Sequence, residues 1–425
     1  MRPPDDTTSI PQPKMTTAAV TCRSCGAGGM ELVLSLGSTP LANSLVQDRG
    51  QPPEARYPLD LVFCPACTLV QITETVPPEV LFREYLYFSS FSDTMLEHAQ
   101  ELVRRFVAER RLGPASLATE IASNDGYLLQ YYKAAGVPVL GIEPAQNVAR
   151  VAIEKRGIPT LSEFFSLPLA AKLRAEGKEA DVLHANNVLA HVADLNGFVA
   201  GIREVLKPDG VAALEFPYLG EMIDRCEFDT IYHEHLCYYS LGALKHLFER
   251  HALKLLEVER IPIHGGSLLL QVGRAESVRA PGASIGALLE EERARGMTTL
   301  DFYRGFARRV LELKQQLTTL LARLKAEGKR IAGYGAAAKG STLLNVFDIG
   351  PDTLDFVADR STYKQGRYMP GVRIPIVAPE QLCQAMPDYT LLLTWNFADE
   401  IFRQQAEYRR RGGRFIVPLP EVKVV

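Results

Sequence analysis

Tyr232-His233-Glu234-His235 places a phenol, two imidazoles and a carboxylate in four consecutive residues, with Tyr238 and Tyr239 close behind, in a chain 8% aromatic with 8 histidines. Ordering so many polar side chains together is costly unless they are hydrogen-bonded or used. Imidazole beside carboxylate and phenol is equipment for moving a proton near neutral pH. A satisfied polar corner is the bland alternative.

A second chemistry sits near the start. Cys22-x-x-Cys25 and Cys64-x-x-Cys67 are paired thiols whose spacing lets two short knuckles set four sulfurs around one Zn²⁺, with Gly26 and Pro65 suited to the tight turns. Four thiolates leave no open coordination position, so the expected role of the metal is structural. A redox pair is the alternative, disfavoured by the duplication.

The bulk numbers bound what these groups serve. At 425 residues the chain is too long for one ordinary core, so two or three domains are expected. With 47% hydrophobic and 23% charged residues and a net charge of -3, it shows no electrostatic footprint for nucleic acid or an anionic membrane. A small-molecule partner is favoured. No apolar run approaches the roughly 18 residues of a membrane span. The polar, Pro-rich residues 1–20 lack the apolar core of a signal peptide and read as a disordered tail. A cytoplasmic location is expected, with cysteines as thiols or metal ligands.

From residue 117 the chain alternates strands and helices, the mark of a mostly parallel, helix-covered α/β sheet. Residues 117–126 read as a strand entering a turn that carries Glu120, Ala122, Asn124 and Gly126. A second strand, 137–142, ends at Glu143, the position where open sheets hold ribose hydroxyls. Gly126 stands where a dinucleotide site has three glycines, so a ligand without phosphates is favoured. Glu163 and Phe164 offer an acid and a ring for adenine, and Asn186, Asn187 and His191 follow the strand that begins at 181. Tyr85 and Tyr87, in the aromatic and serine-rich run 84–92, form either a packed loop or a lid that brings a hydroxyl to the site. His264 and Gly265 line the substrate or make a plain turn. The pattern over 285–325 reads as a helix pair linking domains. Residues 330–342 read as strand, G-x-G-x-x-A and helix, with Asp359 beyond. That pattern suits NAD; Lys339, Ser341 and Thr342 at the helix start suit a nucleotide-sugar diphosphate, with Lys364 in a later loop.

The helix at 195–205, Leu206-Lys207-Pro208-Asp209-Gly210 and the strand ending in Glu215-Phe216-Pro217-Tyr218, taken with 120–126, Glu143 and Glu163-Phe164, resemble class I S-adenosylmethionine-dependent methyltransferases in four ordered segments. From Cys22 to the end, the chain resembles the three-domain sugar C-methyltransferases that act on nucleotide-linked 4-keto-deoxyhexoses. That family has a four-Cys zinc domain, a methyltransferase domain and a C-terminal Rossmann-like domain, expected here at 21–80, 81–275 and 330–425, with a helical linker over 276–329.

Tyr232-x-Glu234-His235 looks like the family's catalytic run, and His191 and Tyr85 resemble its other active-site members. The resemblance implies S-adenosylmethionine at Glu120, Ala122, Asn124, Gly126, Glu143, Glu163, Phe164 and Asn186. Substrate would meet Asn187, Tyr87, His264, Gly265, Lys339, Ser341, Thr342 and Lys364. The implied reaction methylates the carbon beside the ketone, C3 favoured, of a nucleotide-linked 4-keto-6-deoxyhexose in deoxysugar biosynthesis. His235, rather than His233, is the expected base, with Glu234 orienting or charging it and Tyr232, Tyr85 and His191 steadying the enolate. Ala122 departs from the family's usual Gly; at negative φ this costs little and predicts weaker or slightly shifted cofactor packing. An NAD-dependent nucleotide-sugar oxidoreductase or epimerase is the alternative. A zinc-containing nucleic-acid-binding protein is a third reading, which the net charge opposes.

Overall fold

The computed structural model describes residues 20–78, 81, 89–263 and 265–425, and within them the chain builds three sheets. β1 (Glu31–Pro40), β2 (Arg56–Phe63) and β3 (Val70–Ile72) pair antiparallel in that order. The second cysteine knuckle is the turn from β2 to β3, closed by Thr68 N to Cys64 O at 2.8 Å and Cys64 N to Leu69 O at 2.9 Å. β1 has no counterpart among the expected elements. Two register breaks, between Leu32 and Leu34 and between Ser35 and Ser38, destroy the alternation that would have announced it.

The central sheet is the one that positions the site. β4 (Ala118–Ile121), β5 (Val139–Ile142), β6 (Thr160–Leu161), β7 (Ala180–Asn186) and β8 (Leu206–Pro217) run parallel. β9 (Cys237–Tyr238) leaves this sheet and joins the first, whose order is β1-β2-β3-β9. β10 (Leu253–Ile261) and β11 (Ser267–Arg274) complete the central order β10-β11-β8-β7-β4-β5-β6, with β11 antiparallel to both neighbours. The order reverses between β4 and β7, which opens a crevice at their carboxyl ends. Helices cover both faces, so β4 is buried at all four positions, as expected of a parallel strand between two layers. The helix Leu195–Val205 buries Leu195, Phe198, Val199, Ile202 and Val205, one apolar stripe at helical spacing, and Asp194 caps it by accepting from Gly197 N.

The third sheet contains β12 (Ile331–Tyr334), β13 (Val357–Ala358), β14 (Ile376–Val377), β15 (Tyr389–Leu392), β16 (Arg414–Val417) and β17 (Lys423–Val424). Its order, β14-β13-β12-β15-β16-β17, is parallel except for β17 and again reverses, between β12 and β15.

Contacts run across the expected boundaries. The first sheet takes in residues beyond 21–80, because Val70 and Gln71 of β3 pair with Tyr238 and Cys237 of β9. The helices Ala283–Ala294 and Leu300–Ala326 fall in the stretch expected as a helical linker and pack against neighbouring elements. The longer one buries Tyr303, Phe306, Val310 and Leu313, and the Tyr303 ring lies 5.3 Å from that of Phe63 on β2. The C-terminal sheet's surroundings are tied back as well, through Arg373, whose guanidinium donates to the Arg49, Gln51 and Pro52 carbonyls and to Glu54. Apart from Val20, the tail expected over 1–20 lies outside the described residues. Among the described residues no helix is long and apolar enough to cross a membrane.

Candidate active site

Beyond β8 the chain makes the helix Leu219–Asp224 and the 3-10 turn Phe228–Thr230, then the polar cluster, which β9 closes. The cluster is clamped from both sides: Leu236 N donates to Ala190 O at 2.7 Å, and Ile72 N donates to Leu236 O at 3.0 Å. His235 N to Tyr232 O, 2.8 Å, folds the four residues into a tight turn.

This turn sets the tautomer of His235. Nδ1 lies 2.8 Å from the Thr230 carbonyl, an acceptor only, so Nδ1 carries the proton and Nε2 keeps its lone pair. The Tyr232 hydroxyl donates to that lone pair across 2.9 Å. The His191 ring centre stands 4.8 Å from that of His235, and burial pushes the His191 imidazole down to about 4, so it is neutral near pH 7. His233 turns away, with Nε2 3.0 Å from the Pro58 carbonyl and its ring edge-on to Tyr57.

Glu234 requires a correction. Its carboxyl accepts from Asn43 Nδ2, in the loop after β1, at 2.7 Å, and burial pushes it up to about 7 while Asn43 opposes the shift. The group that orients His235 through Nδ1 is the Thr230 backbone carbonyl. A backbone acceptor leaves no residue-type signal, which is why the neighbouring carboxylate stood in for it. Tyr85, Tyr87 and His264 lie outside the described residues.

At the crevice of the central sheet, acceptors crowd together. Glu143, at the tip of β5, accepts from Asn124 N at 2.9 Å and Ala145 N at 2.8 Å, and burial still pushes its carboxyl up to about 7. Glu120 on β4 is enclosed; burial, then the nearby Glu143 and Asp125, hold it well above the usual carboxylate range. Glu120 Oε2, Asp125 Oδ1 and Asn186 Oδ1 have no hydrogen-bond partner among the described residues. S-Adenosylmethionine brings what this cradle lacks: an ammonium, a sulfonium and hydroxyl donors. The donor-poor, acidic surroundings therefore fit the cofactor.

The remaining expected positions divide. Asn187, at φ +56°, donates its backbone N to Glu215 O at 2.6 Å, and Glu215 in turn meets His98 Nε2 at 2.7 Å. Glu215 was marked only as the acid at the end of its strand, and His98 was not singled out at all, because the two meet only across the fold. Glu163 and Phe164 lie on the surface past β6, with Phe164 40% exposed. Ser341 and Thr342 are buried in the helix Ala338–Phe347, and the Thr342 hydroxyl donates to Ala338 O at 3.2 Å, so they sit inside the domain rather than at an open helix end. Lys339 keeps its ammonium 4.8 Å from the centre of the Trp395 ring. Lys364 donates to Ala336 O at 2.8 Å, while Asp359 accepts from Ala336 N and Ser361 N. Both side chains fasten the Gly335 loop, which engages Asp359 where an NAD reading needs it free for ribose.

Ala122 also departs from expectation. Its φ is +53°, in the left-handed region, and Asn124 at +49° and Gly126 at +77° share the turn. An L-residue there costs roughly 1–2 kcal/mol relative to Gly, before the entropy that Gly loses on folding is subtracted. Ala122→Gly is expected to stabilise the protein by about 0.5–1 kcal/mol and raise the melting temperature by about 1 °C, checked by thermal denaturation.

Cys22 Sγ lies 3.5 Å from Cys67 Sγ and Cys25 Sγ 3.6 Å from Cys64 Sγ, with all four ligand atoms within 4.8 Å of one another. Tetrahedral thiolates at about 2.3 Å from zinc stand about 3.8 Å apart. The four sulfurs fit one zinc ion.

Residues 95–258 match a methyltransferase domain family, and with the crevice and its acidic cradle this makes the protein an S-adenosylmethionine-dependent methyltransferase of the class I fold. Residues 22–82 match a zinc binding domain family and residues 262–420 the C-methyltransferase C-terminal domain. The chain is 38% identical over 405 residues to the C-methyltransferase NovU of Streptomyces niveus, covering 95% of this chain and 96% of that one. The protein belongs to this family of zinc-containing C-methyltransferases. A ubiquinone biosynthesis O-methyltransferase of Bartonella tribocorum is 28% identical over 146 residues, 33% of this chain and 57% of its own. Among solved structures, the magnesium protoporphyrin IX methyltransferase of Synechocystis PCC 6803 covers 42% of this chain and 82% of its own at 14% identity, with a TM-score of 0.34.

The raised Glu143 carboxyl gives a pH prediction. Its ordinary value is 4.5 and its folded value about 7, so the ligand-free protein binds the extra proton and loses stability as pH rises between these values. A cationic ligand favours the ionised form. S-Adenosylmethionine affinity is therefore expected to rise with pH, by up to about tenfold per unit below pH 7, and then level off. Glu143→Gln is expected to bind more weakly and without that slope, read by calorimetric titration from pH 5.5 to 8.5.

Proposed function

We propose that this C-methyltransferase methylates the carbon next to the ketone of a nucleotide-linked 4-keto-6-deoxyhexose, C3 favoured, in deoxysugar biosynthesis in the cytoplasm. The observation that carries the reading is the Nε2 lone pair of His235, oriented by Thr230 and capped by the Tyr232 hydroxyl. A proton on carbon beside a ketone is weakly acidic, so its removal needs a base at the carbon and donors at the developing oxyanion. His235 Nε2 is the base. Once substrate enters, the Tyr232 hydroxyl turns from Nε2 to the oxyanion, which frees the lone pair as charge develops. Neutral His191 steadies the same oxygen without competing for the proton. Tyr85 and Tyr87 belong to the run that completes this site in our reading. S-Adenosylmethionine, when bound, supplies the electrophilic sulfonium methyl that the carbanion carbon takes.

The domain at 330–425 is the partner for the nucleotide end of the substrate, with the Lys339 ammonium as its charge. The -3 net charge and the family argue against nucleic acid or membrane as partner.

Incubation with S-adenosylmethionine and UDP- or dTDP-linked 4-keto-6-deoxyglucose is expected to give a product one methyl heavier by mass spectrometry. Transfer to unrelated phenols, with both nucleotide sugars untouched, would refute the substrate assignment.

A further inference from the structure

The wall of the cavity that holds His235 contains a second acid-base group that none of the motifs marks. Glu227, between the helix Leu219–Asp224 and the 3-10 turn Phe228–Thr230, lines this cavity together with Thr230, Met222, Phe216 and Tyr238. Its backbone is fixed: the N donates to Met222 O at 2.9 Å, and the carbonyl accepts from Thr230 N at 3.1 Å and Thr230 Oγ1 at 2.7 Å. The residue is 3% exposed, and Oε1 has no hydrogen-bond partner among the described residues. A buried, rigidly held, unanswered carboxyl oxygen costs stability unless a ligand answers it.

The loop before β11 is shaped around this group. Gly265 has φ +98°, and a Cβ there would lie 2.6 Å from Glu227 Oε1. Glycine thus lets the backbone close over the carboxyl. The charged groups facing Glu227 are Glu221 from the preceding helix, Arg225 just past its end, Asp229 from the 3-10 turn that follows, and Lys339 from the helix Ala338–Phe347. Phe228 stacks on Phe347 with ring centres 4.7 Å apart, and Trp395 Nε1 donates to Asp229 at 2.8 Å, which locks the turn onto that domain. Burial pushes the carboxyl up to about 8, with Lys339 opposing, so it carries its proton at neutral pH.

The geometry points to Glu227 as a substrate-contacting hydrogen-bond donor: its carboxylic acid meets the ketone oxygen across the cavity from His235. This rests on the deprotonation reading above. When the C–H bond breaks, the proton goes to His235 Nε2 and the electron pair to the ketone oxygen, where the Glu227 O–H shares the charge. As the carbon takes its methyl the ketone re-forms, Glu227 keeps its proton, and His235 returns its own to solvent.

The test is solvent-deuterium exchange into the carbon beside the ketone of UDP- or dTDP-4-keto-6-deoxyglucose, without cofactor, from pH 6 to 10. Wild type, Glu227→Gln and Glu227→Ala are compared, each checked for cofactor binding and melting temperature. Wild-type exchange is expected to fall above about pH 8 as the donor ionises. Glu227→Ala is expected to lose about 100-fold or more. Glu227→Gln, a donor at every pH, is expected to stay within about tenfold of wild type and lose the alkaline fall. Undiminished exchange in Glu227→Ala, or an unchanged alkaline fall in Glu227→Gln, would overturn this role and leave His235 as base intact. Absence of exchange in wild type would overturn both; should the alanine variant not fold, the glutamine pH profile decides.

Discussion

Replacement of His235 by alanine is expected to reduce solvent exchange beside the ketone, and methyl transfer with it, by about 10³-fold or more, while cofactor binding stays within about twofold. The size follows from what a positioned base contributes, about 10²–10⁴-fold, together with the loss of Tyr232's anchor. The cofactor should not notice, because the acidic cradle at β4, β5 and β7 is built from other residues. Tyr232→Phe separates base from donor. It leaves His235 oriented by Thr230 and removes only the hydroxyl, so a loss of about 10–100-fold is expected. An alanine variant that still exchanged at the wild-type rate would move the base elsewhere.

Removal of zinc is expected to have the second large effect, and to reach the catalytic cluster. Structural zinc contributes on the order of 10–16 kcal/mol to small metal domains. Here the knuckles are linked to the cluster by β3. The Gln71 side chain accepts from Arg23 N at 2.7 Å and donates to Thr21 O at 3.1 Å, while its backbone pairs with Cys237. Residue 72 holds Leu236, next to His235. Cys64→Ser or treatment with a strong chelator is expected to raise amide exchange over 230–239 as well as 20–75. One zinc per chain should be lost and activity with it. Retained protection at Leu236 and Cys237 in zinc-free protein would show that the cluster stands without the knuckles.

Local signals in the sequence report local structure well. The helix Leu195–Val205 has a capping residue, Asp194, directly before an apolar stripe, and its bounds are those read from the sequence. The four cysteines and the acid at the end of β5 declare themselves by type and spacing. What stayed hidden depends on tertiary partners. β9 is a strand of two residues that exists because β3 offers an edge. The positive φ of Ala122 runs against the preference of its side chain and leaves no signal in the sequence. Thr230's role is carried by a backbone carbonyl, and Glu227 acquires its environment only when the Gly265 loop and the C-terminal domain close on it. Neighbours in the chain, such as Glu234 and His235, are easily taken for partners; here Glu234 bonds to Asn43 and His235 to Tyr232.

The most direct test of the account is where the methyl arrives. With the zinc-loaded enzyme, S-adenosylmethionine labelled with ¹³C in the methyl and a nucleotide-linked 4-keto-6-deoxyglucose, carbon NMR of the product should show the label bonded to carbon next to the ketone, C3 favoured. A label found on oxygen, or on a carbon not adjacent to the ketone, would contradict it.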